Sequence, residues 1–552
     1  MKAAQPCTVF LLNGDTVCTT AWPGTPLIDF LREEKGLTGT KEGCREGDCG
    51  ACAVLVGEQA IAEGTPDLTP RYRAHPSCLM RIGELENRHL ITIEGLRQAA
   101  ETSGLEGGLT PVMRALLEEN ASQCGFCSPG FVISLSAWLL GGLPLTPETA
   151  VQAVEGNLCR CTGYSAIRRA AAILAREFSD LSADPVNRIR ALAEAGVIPI
   201  SALRFATSAV PKARFTGTDA GIPTPQPISL GTDTEKSALQ SISTGTDTTT
   251  GTDTKKLTFQ SISTGTATEK PIQPLVLGGG TDLSVRHPHP EPGPAVFFTR
   301  LDRGLSTISE RDGSVSIGAA VTIRDFFESP LVRRAVPGIE AFEDGFASIL
   351  IRNRATIAGN IVNASPVADM TSILLALGSS IQVAEASGEG PGRSMPLSSF
   401  FRGYKSIALE AGQIVTTLSF DALGPHERFH FAKLSKRERL DIAAVNSGIR
   451  IALAAGGRSV LSASISAGGV AAVPRLLPKA SATLAGAPLS VETALAAAYA
   501  ASSEIEPIGD VRGSAGYRRL ALERLLLSHF ASLFPELGEG IGAALVAQGG
   551  SR

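Results

Sequence analysis

CREGDCGAC, residues 44–52, places Cys44, Cys49 and Cys52 within nine positions, with four and then two residues between them. Gly43, Gly47 and Gly50 punctuate the stretch, so the chain can close tightly around a small inorganic core. Cys78 follows 25 residues after Cys52 and brings a fourth thiolate from elsewhere in the fold. Four thiolates suit an iron–sulfur cluster whose sulfides face backbone amides, and they also suit a structural zinc ion. Around the loop, Thr8–Leu12, 51–56 and 90–93 read as strands, and 27–33 reads as a helix entered after Pro26. A small sheet domain is expected to carry this loop.

A second cysteine group follows. QCGFCSPG at 123–130 supplies Cys124 and Cys127, and NLCRCTGY at 157–164 supplies Cys159 and Cys161. Helical periodicity begins near Thr110, and helices are expected directly after each pair, over 129–140 and 165–176. Amides at a helix start favour the negative charge of a thiolate-ligated group. Ligation explains the grouping of eight of the ten cysteines better than scattered disulfides do. Cys7 and Cys18 lie outside both sets and are expected to be buried strand thiols.

A chain of 552 residues exceeds one compact core and suggests three or four units. With 43% hydrophobic residues, 19% charged residues and a net charge of −4, neither disorder nor nucleic-acid binding is indicated. No apolar stretch with a small-residue cleavage site follows Met1, and the apolar runs at 131–140 and 373–377 are too short to span a bilayer. The expectation is a soluble cytoplasmic protein without a membrane partner.

Order fades over 179–270, where SALQSISTGTDT at 237–248 recurs as LTFQSISTGTAT at 257–268. Two Thr/Ser-rich copies lack the apolar residues to stack into a core, so a flexible linker is expected. Beyond it, LVLGGGTDLSV at 275–285 sets Gly278, Gly279 and Gly280 directly after a strand. Such a loop suits a pyrophosphate, although the spacing is not GxGxxG and a plain tight turn reads the same way. An alternating segment at 314–323, a helix at 371–377 and a strand at 413–420 complete an α/β region. The last section is expected to hold a strand at 429–433, a long helix at 442–454, a strand at 460–467 and helices at 490–501 and 517–530. Lys436, Arg437 and Arg439 form a basic run there, read as a solvated face or a nucleotide contact, and Asp441 is a candidate cap for the helix after it.

CREGDCGAC, SCL at 77–79, TIEGL at 92–96, QCGFCSPGF at 123–131 and EGNLCRCTGY at 155–164 resemble, in order, the paired iron–sulfur domains of the molybdenum hydroxylase family, in its bacterial xanthine dehydrogenase branch. IRNRATIAGNIVNASPVADM at 351–370 resembles that family's second flavin signature, and 278–282 the first. The resemblance covers about 5–178 and 273–525. It implies a multidomain α+β fold: a β-grasp plant-type ferredoxin domain over 5–95, a helical [2Fe-2S] domain over 96–180, a linker over 181–270, a two-part α/β FAD-binding domain over 271–422 and a C-terminal α+β domain over 425–530. It also implies one [2Fe-2S] cluster on Cys44, Cys49, Cys52 and Cys78 and another on Cys124, Cys127, Cys159 and Cys161. Gly278, Gly279, Gly280, Thr281 and Asp282 would cradle the FAD diphosphate, with Thr356, Gly359, Asn360, Ser365 and Asp369 lining the rest; Asp369 is also a candidate helix cap.

By the same resemblance, a separate subunit bearing a molybdopterin cofactor hydroxylates purines, NAD+ is the final acceptor, and the assembly is a heterotetramer of two small and two large subunits. No stretch of the sequence is left over for the molybdenum domains. The equivalent subunit of an aldehyde or N-heterocycle dehydrogenase, and a cofactor-free assembly protein, are the competing readings. Met113 stands where many relatives have a glutamine directed at the pterin, and Ala358 where many have glycine, with strain expected if its φ is positive. His75, His89, His426 and His430 are expected to be ordinary surface or packing residues rather than bases, and no residue of this chain is expected to be catalytic.

Overall fold

The computed structural model describes residues 7–61, 68–207, 275–290, 292, 296–386 and 392–549, so the repeat at 237–268 lies outside the described residues. β1 (Thr8–Leu12) and β2 (Asp15–Thr19) form a hairpin whose turn residue Asn13 takes a φ of 60°. β3 (Ala53–Ile61) and β4 (Leu68–Pro76) form a second antiparallel pair. β5 (His89–Ile91) joins the two, parallel to β1 and antiparallel to β3, giving the order β2-β1-β5-β3-β4. Leu27, Phe30 and Leu31 from the helical segment at 27–34 pack with Val54, Val56 and Leu90 of the sheet, which is the β-grasp arrangement. Cys7 and Cys18 correct an expectation: they form a disulfide across the β1–β2 hairpin, with Cα atoms 5.7 Å apart, and Cys18 is exposed rather than buried. Adjacent strands brought the two sulfurs together, which the spacing of the cysteines alone did not reveal.

Helices Ile93–Thr102, Pro111–Glu118, Ser128–Leu140, Pro147–Ala153 and Ser165–Glu177 follow. Thr110 caps the second by accepting from the Met113 N–H, with Pro111 at its first position. Phe131, Ile133, Leu135 and Leu139 bury nearly every face of Ser128–Leu140, so this central helix carries no amphipathic stripe. The linker expected from residue 181 is also corrected, because Pro185–Glu194 and Ile200–Thr207 are helices. Asp184 caps the first, accepting from Asn187 N at 2.8 Å, and Ile189, Leu192 and Ala202 enter the same core as Tyr72 of β4.

In the third region, Leu275–Leu277 runs parallel to Val296–Phe298 ahead of a five-stranded antiparallel sheet. That sheet is ordered Arg393–Pro396, Ser380–Glu385, Gln413–Asp421, Ser314–Gly318, Ile308–Arg311, and it packs on helices through Phe326, Phe327, Ile357, Ile361, Ile373 and Leu418. The last region is a four-stranded antiparallel sheet backed by Pro478–Leu484, Val491–Ser503 and Ala515–Leu533. Its second strand, Val445–Leu453, replaces the helix expected over 442–454. The strand pairs on both edges, with Glu427–Leu434 and Val460–Gly468, and burial of both faces erases the two-residue alternation that marks a half-exposed strand. Asp441 accordingly caps no helix; its carboxylate accepts from Arg437 N and Ile442 N in a turn.

Buried charges join the regions. Arg71 and Arg73 of β4 meet Asp325 at 2.7 and 2.8 Å, and Arg73 reaches Glu328 at 2.6 Å. Glu155, in the turn before Cys159, meets Arg352 at 2.7 Å and Arg439 at 2.6 Å, and Arg439 continues to Asp344 at 2.7 Å. Beside the first group, Glu58 pairs with Arg88 and Arg71. Burial opposes its ionisation, but Arg88, Arg71 and Arg300 outweigh burial and hold the carboxyl at about 2 instead of 4.5. A depressed carboxyl stabilises the fold above its unfolded value and loses that contribution as pH falls through the folded one. In melting curves, Glu58→Gln is therefore expected to lower the transition temperature at pH 7, with the gap to wild type narrowing as pH falls from 4.5 toward 2. A gap that stays constant across that window would contradict the ion-pair account. Among the described residues no helix is long and apolar enough to cross a membrane.

Candidate cofactor sites

The loop at 44–52 brings its cysteines together in touching pairs. Glu46 N donates to Cys44 Sγ at 3.4 Å, and the Cys52 and Cys78 sulfurs lie 3.4 Å apart, buried with Ile28 and Leu79. In the second group Cys124 and Cys161 lie 3.6 Å apart, and Cys127 and Cys159 share a hydrogen bond. Within each touching pair the contact favours charge on one sulfur. Cys44 is drawn down to about 5, chiefly by its neighbour Cys49, and Cys52 is lowered chiefly by its contact with Cys78, while Cys49 and Cys78 are raised. Cys124 is lowered, first by the Phe126 N–H. Burial pushes Cys127 up to about 12. Among the described residues no three Cys, His, Asp or Glu side chains converge on one ion position. Two thiolates for each of two irons is a donor set these pairs would supply.

The two cysteine loops touch through one backbone and one side-chain hydrogen bond. Leu158 N donates to Cys49 O at 2.9 Å, and Asn157 Nδ2 to Gly50 O at 3.3 Å. Glycine makes this approach possible: a Cβ on Gly130 would lie 2.3 Å from Gly50 O, and one on Gly50, whose φ is +65°, would lie 2.5 Å from Gly156 O. Cys127 is the residue before helix Ser128–Leu140, and Cys161 lies four residues before helix Ser165–Glu177. Cys124 and Cys161 are exposed, and Phe126 and Leu158 beside them are 47% and 48% exposed, so this second site faces outward. Met113 is half-buried against the core of the helical region.

At the glycine loop, Gly279 packs so closely on the 351–360 segment that a Cβ would lie 2.1 Å from Arg354 O. A Cβ on Gly278 would meet Thr356 Oγ1 at 2.8 Å, one on Gly359 would meet the same oxygen at 2.7 Å, and Gly280 takes a φ of +70°. Gly278, Gly279, Gly280, Thr356 and Gly359 thus lie together, and Asp282 accepts from Asn363 Nδ2 at 3.2 Å on the same segment. The Asn360 Oδ1 is buried without a partner among the described residues, which suits a donor from a bound dinucleotide. Thr281 and Ser365 are half-buried on the two segments. Asp369 has partners within the protein. Its carboxylate meets Lys433 Nζ at 2.8 Å and Asn446 Nδ2 at 2.5 Å, clamping the third region to the last, and its side chain caps no helix. Ala358 lies inside helix Ile357–Val362 without positive φ, so the expected strain is absent.

Of the basic run, Arg439 belongs to the Glu155 network, Lys436 donates to Val511 O at 3.0 Å, and Arg437 pairs loosely with Asp441. His75 and His89 are buried, and burial lowers both, His89 to about 4. His430 bonds to buried His529 at 2.7 Å. Residues that pattern reading passed over are Asn157, Ile351, Arg354 and Lys433. The alternation of Arg352 and Arg354 within IRNRAT was the one available signal.

Four stretches of the chain match known domain families. Residues 10–83 match a 2Fe-2S iron-sulfur cluster binding domain and 92–172 a [2Fe-2S] binding domain. Residues 263–420 match the FAD binding domain in molybdopterin dehydrogenase, and 430–533 the CO dehydrogenase flavoprotein C-terminal domain. The chain is 26% identical to the xanthine dehydrogenase of Drosophila subobscura, over 98% of this chain and 40% of that protein. It is 30% identical to the xanthine dehydrogenase of Emericella nidulans, over 86% of this chain and 35% of that one. The chain thus spans well under half the length of these relatives. Among solved structures, quinoline 2-oxidoreductase from Pseudomonas putida 86 aligns at a TM-score of 0.42 and 25% identity, over 48% of this chain and 90% of that one. The order of two iron–sulfur domains, a flavin domain and its C-terminal companion is the order expected from the motifs, and the chain combines two 2Fe-2S binding domains with an FAD binding domain similar to that of molybdopterin dehydrogenases.

Proposed function

We propose that this chain relays electrons from purine hydroxylation on a separate molybdopterin-bearing subunit to NAD+, as the electron-transfer subunit of a xanthine dehydrogenase. Cys124, Cys127, Cys159 and Cys161 would hold the [2Fe-2S] cluster nearer the partner, and Cys44, Cys49, Cys52 and Cys78 the second. Gly278–Asp282 with Thr356, Gly359, Asn360 and Ser365 would hold FAD, with Asp369 acting through its clamp on the last region. Clusters supply single-electron transfer, and a flavin supplies conversion to a hydride-equivalent pair. The observation that carries the reading is the Cys49 O to Leu158 N hydrogen bond, which seats one cysteine loop directly on the other. Ile351 continues the line, packing on Cys52, Cys78 and Leu79 from the start of the second flavin signature. The exposed setting of Cys124 and Cys161 supports a partner docking over the second site.

The test is to purify the complex, count iron and flavin, and assay xanthine, hypoxanthine and aldehydes with NAD+ or oxygen. About four irons per chain, one FAD and NAD+ reduction by xanthine are expected. Turnover of aldehydes or N-heterocycles alone would move the assignment to another branch, and a colourless chain would make it a cofactor-free assembly protein.

A further inference from the structure

We propose that Arg354 is a positioning residue that ties FAD retention to the seating of the first cluster; the proposal rests on the cluster and flavin assignments above. Arg354 is fully buried, at 0% exposure. Its Nη2 faces Leu79 O at 3.0 Å, Gly279 O at 2.6 Å and the two Glu84 carboxylate oxygens at 3.0 and 3.1 Å. Leu79 directly follows the cluster cysteine Cys78, and Gly279 is the middle glycine of the flavin loop. One nitrogen therefore bridges the two cofactor loops. The residue grips Gly279 twice, because its own carbonyl fills the place a Cβ would take there, 2.1 Å away. Ser284, just past the glycine loop, adds a second bond to Leu79 O at 3.2 Å.

This arrangement is poor glue. Nε and Nη1 of Arg354 have no partner among the described residues, and a buried guanidinium that is only partly satisfied stabilises less than a well-packed apolar side chain of the same volume. What it supplies is one buried, charged nitrogen placed between two carbonyls, which fixes them relative to each other. If filling the flavin site holds Gly279 in place, Leu79 and Cys78 are held through the same nitrogen. The coupling is reciprocal by thermodynamic linkage: whatever factor cluster seating adds to FAD affinity, FAD adds to cluster seating.

The holo complex tests this with FAD titration after mild deflavination and with the electron paramagnetic resonance signals of the two reduced clusters. In wild type, removing FAD is expected to change the line shape and midpoint potential of the first cluster's signal and to leave the second's alone. Arg354→Met is expected to bind FAD at least tenfold more weakly and to show the altered first signal whether or not FAD is present. Arg354→Lys, which returns one charged donor, is expected to recover part of the affinity. Glu84→Gln keeps the guanidinium and weakens its anchor, so the same paired change at lower amplitude is expected, and it serves where Arg354→Met does not fold. Wild-type FAD affinity in Arg354→Met, or a first-cluster signal indifferent to FAD in wild type, overturns the linkage while leaving the flavin assignment standing. A wild-type complex that binds no FAD overturns the flavin assignment itself, and the linkage with it.

Discussion

Under the proposed relay, a chain carrying Cys159→Ala is expected to purify with about two irons in place of about four, to keep its flavin, and to lose electron transfer from the proposed partner to the acceptor down to background. Cys159 is 6% exposed; against the cost of that burial, Thr162 and the backbone N–H groups of Thr162 and Cys161 draw its thiol down, so the site is built for a thiolate. Alanine leaves three thiolates around an outward-facing site and no protein sulfur to replace the fourth. The first loop has its own buried surround, Ile28, Cys52, Cys78 and Leu79, and is expected to keep its cluster. Electron paramagnetic resonance then shows one reduced signal instead of two. Cys18→Ser, which breaks the Cys7–Cys18 disulfide, is the control and is expected to leave iron unchanged. Full iron in Cys159→Ala would remove the second ligand set from consideration.

Arg352→Met is expected to destabilise the chain by about 3–5 kcal/mol, because it strands a buried carboxylate. The Arg352 and Glu155 side chains are 3% and 5% exposed, and the Ile349 N–H also points at Glu155. Arg439 remains as a second partner at 2.6 Å, which places the cost toward the lower end. Three regions meet at that carboxylate: the turn before Cys159, the second flavin signature and the last region. Loss of the Arg352 contact is thus expected to lower the melting transition by about 5 °C. It should also speed hydrogen exchange at 349–352 and 155–158 together. A shift under about 2 °C would mean that Arg439 alone carries the junction.

The cysteine ligand sets, the glycine loop and the succession of regions were legible because each is local: the spacing of sulfurs and glycines survives without knowledge of the fold. The charge junctions were not legible. Arg71 meets Asp325, and Glu155 meets Arg352, across 254 and 197 residues, and no periodic pattern records such a partner. Val445–Leu453 was misread for the related reason that a strand buried on both faces loses its alternation, and Ala443, Ala444 and Ala452 gave the stretch a helical composition. Pro185–Glu194 and Ile200–Thr207 were obscured by the Thr/Ser-rich run beyond them, although Asp184 and Pro185 spell a helix start. Asp369 was assigned by resemblance to the dinucleotide site, and only the arrival of Lys433 and Asn446 from the last region revealed its clamp.

The glycine seam between the two cysteine loops sets a floor. At Gly50 and Gly130 the neighbouring peptide occupies the place of a side chain, at 2.5 and 2.3 Å from where a Cβ would sit, with the Asn157 amide beside it. Any substitution at these positions drives the loops apart, and none brings them closer. The separation of the two redox centres is thereby adjustable in one direction only, and the protein sits at the short end of that range.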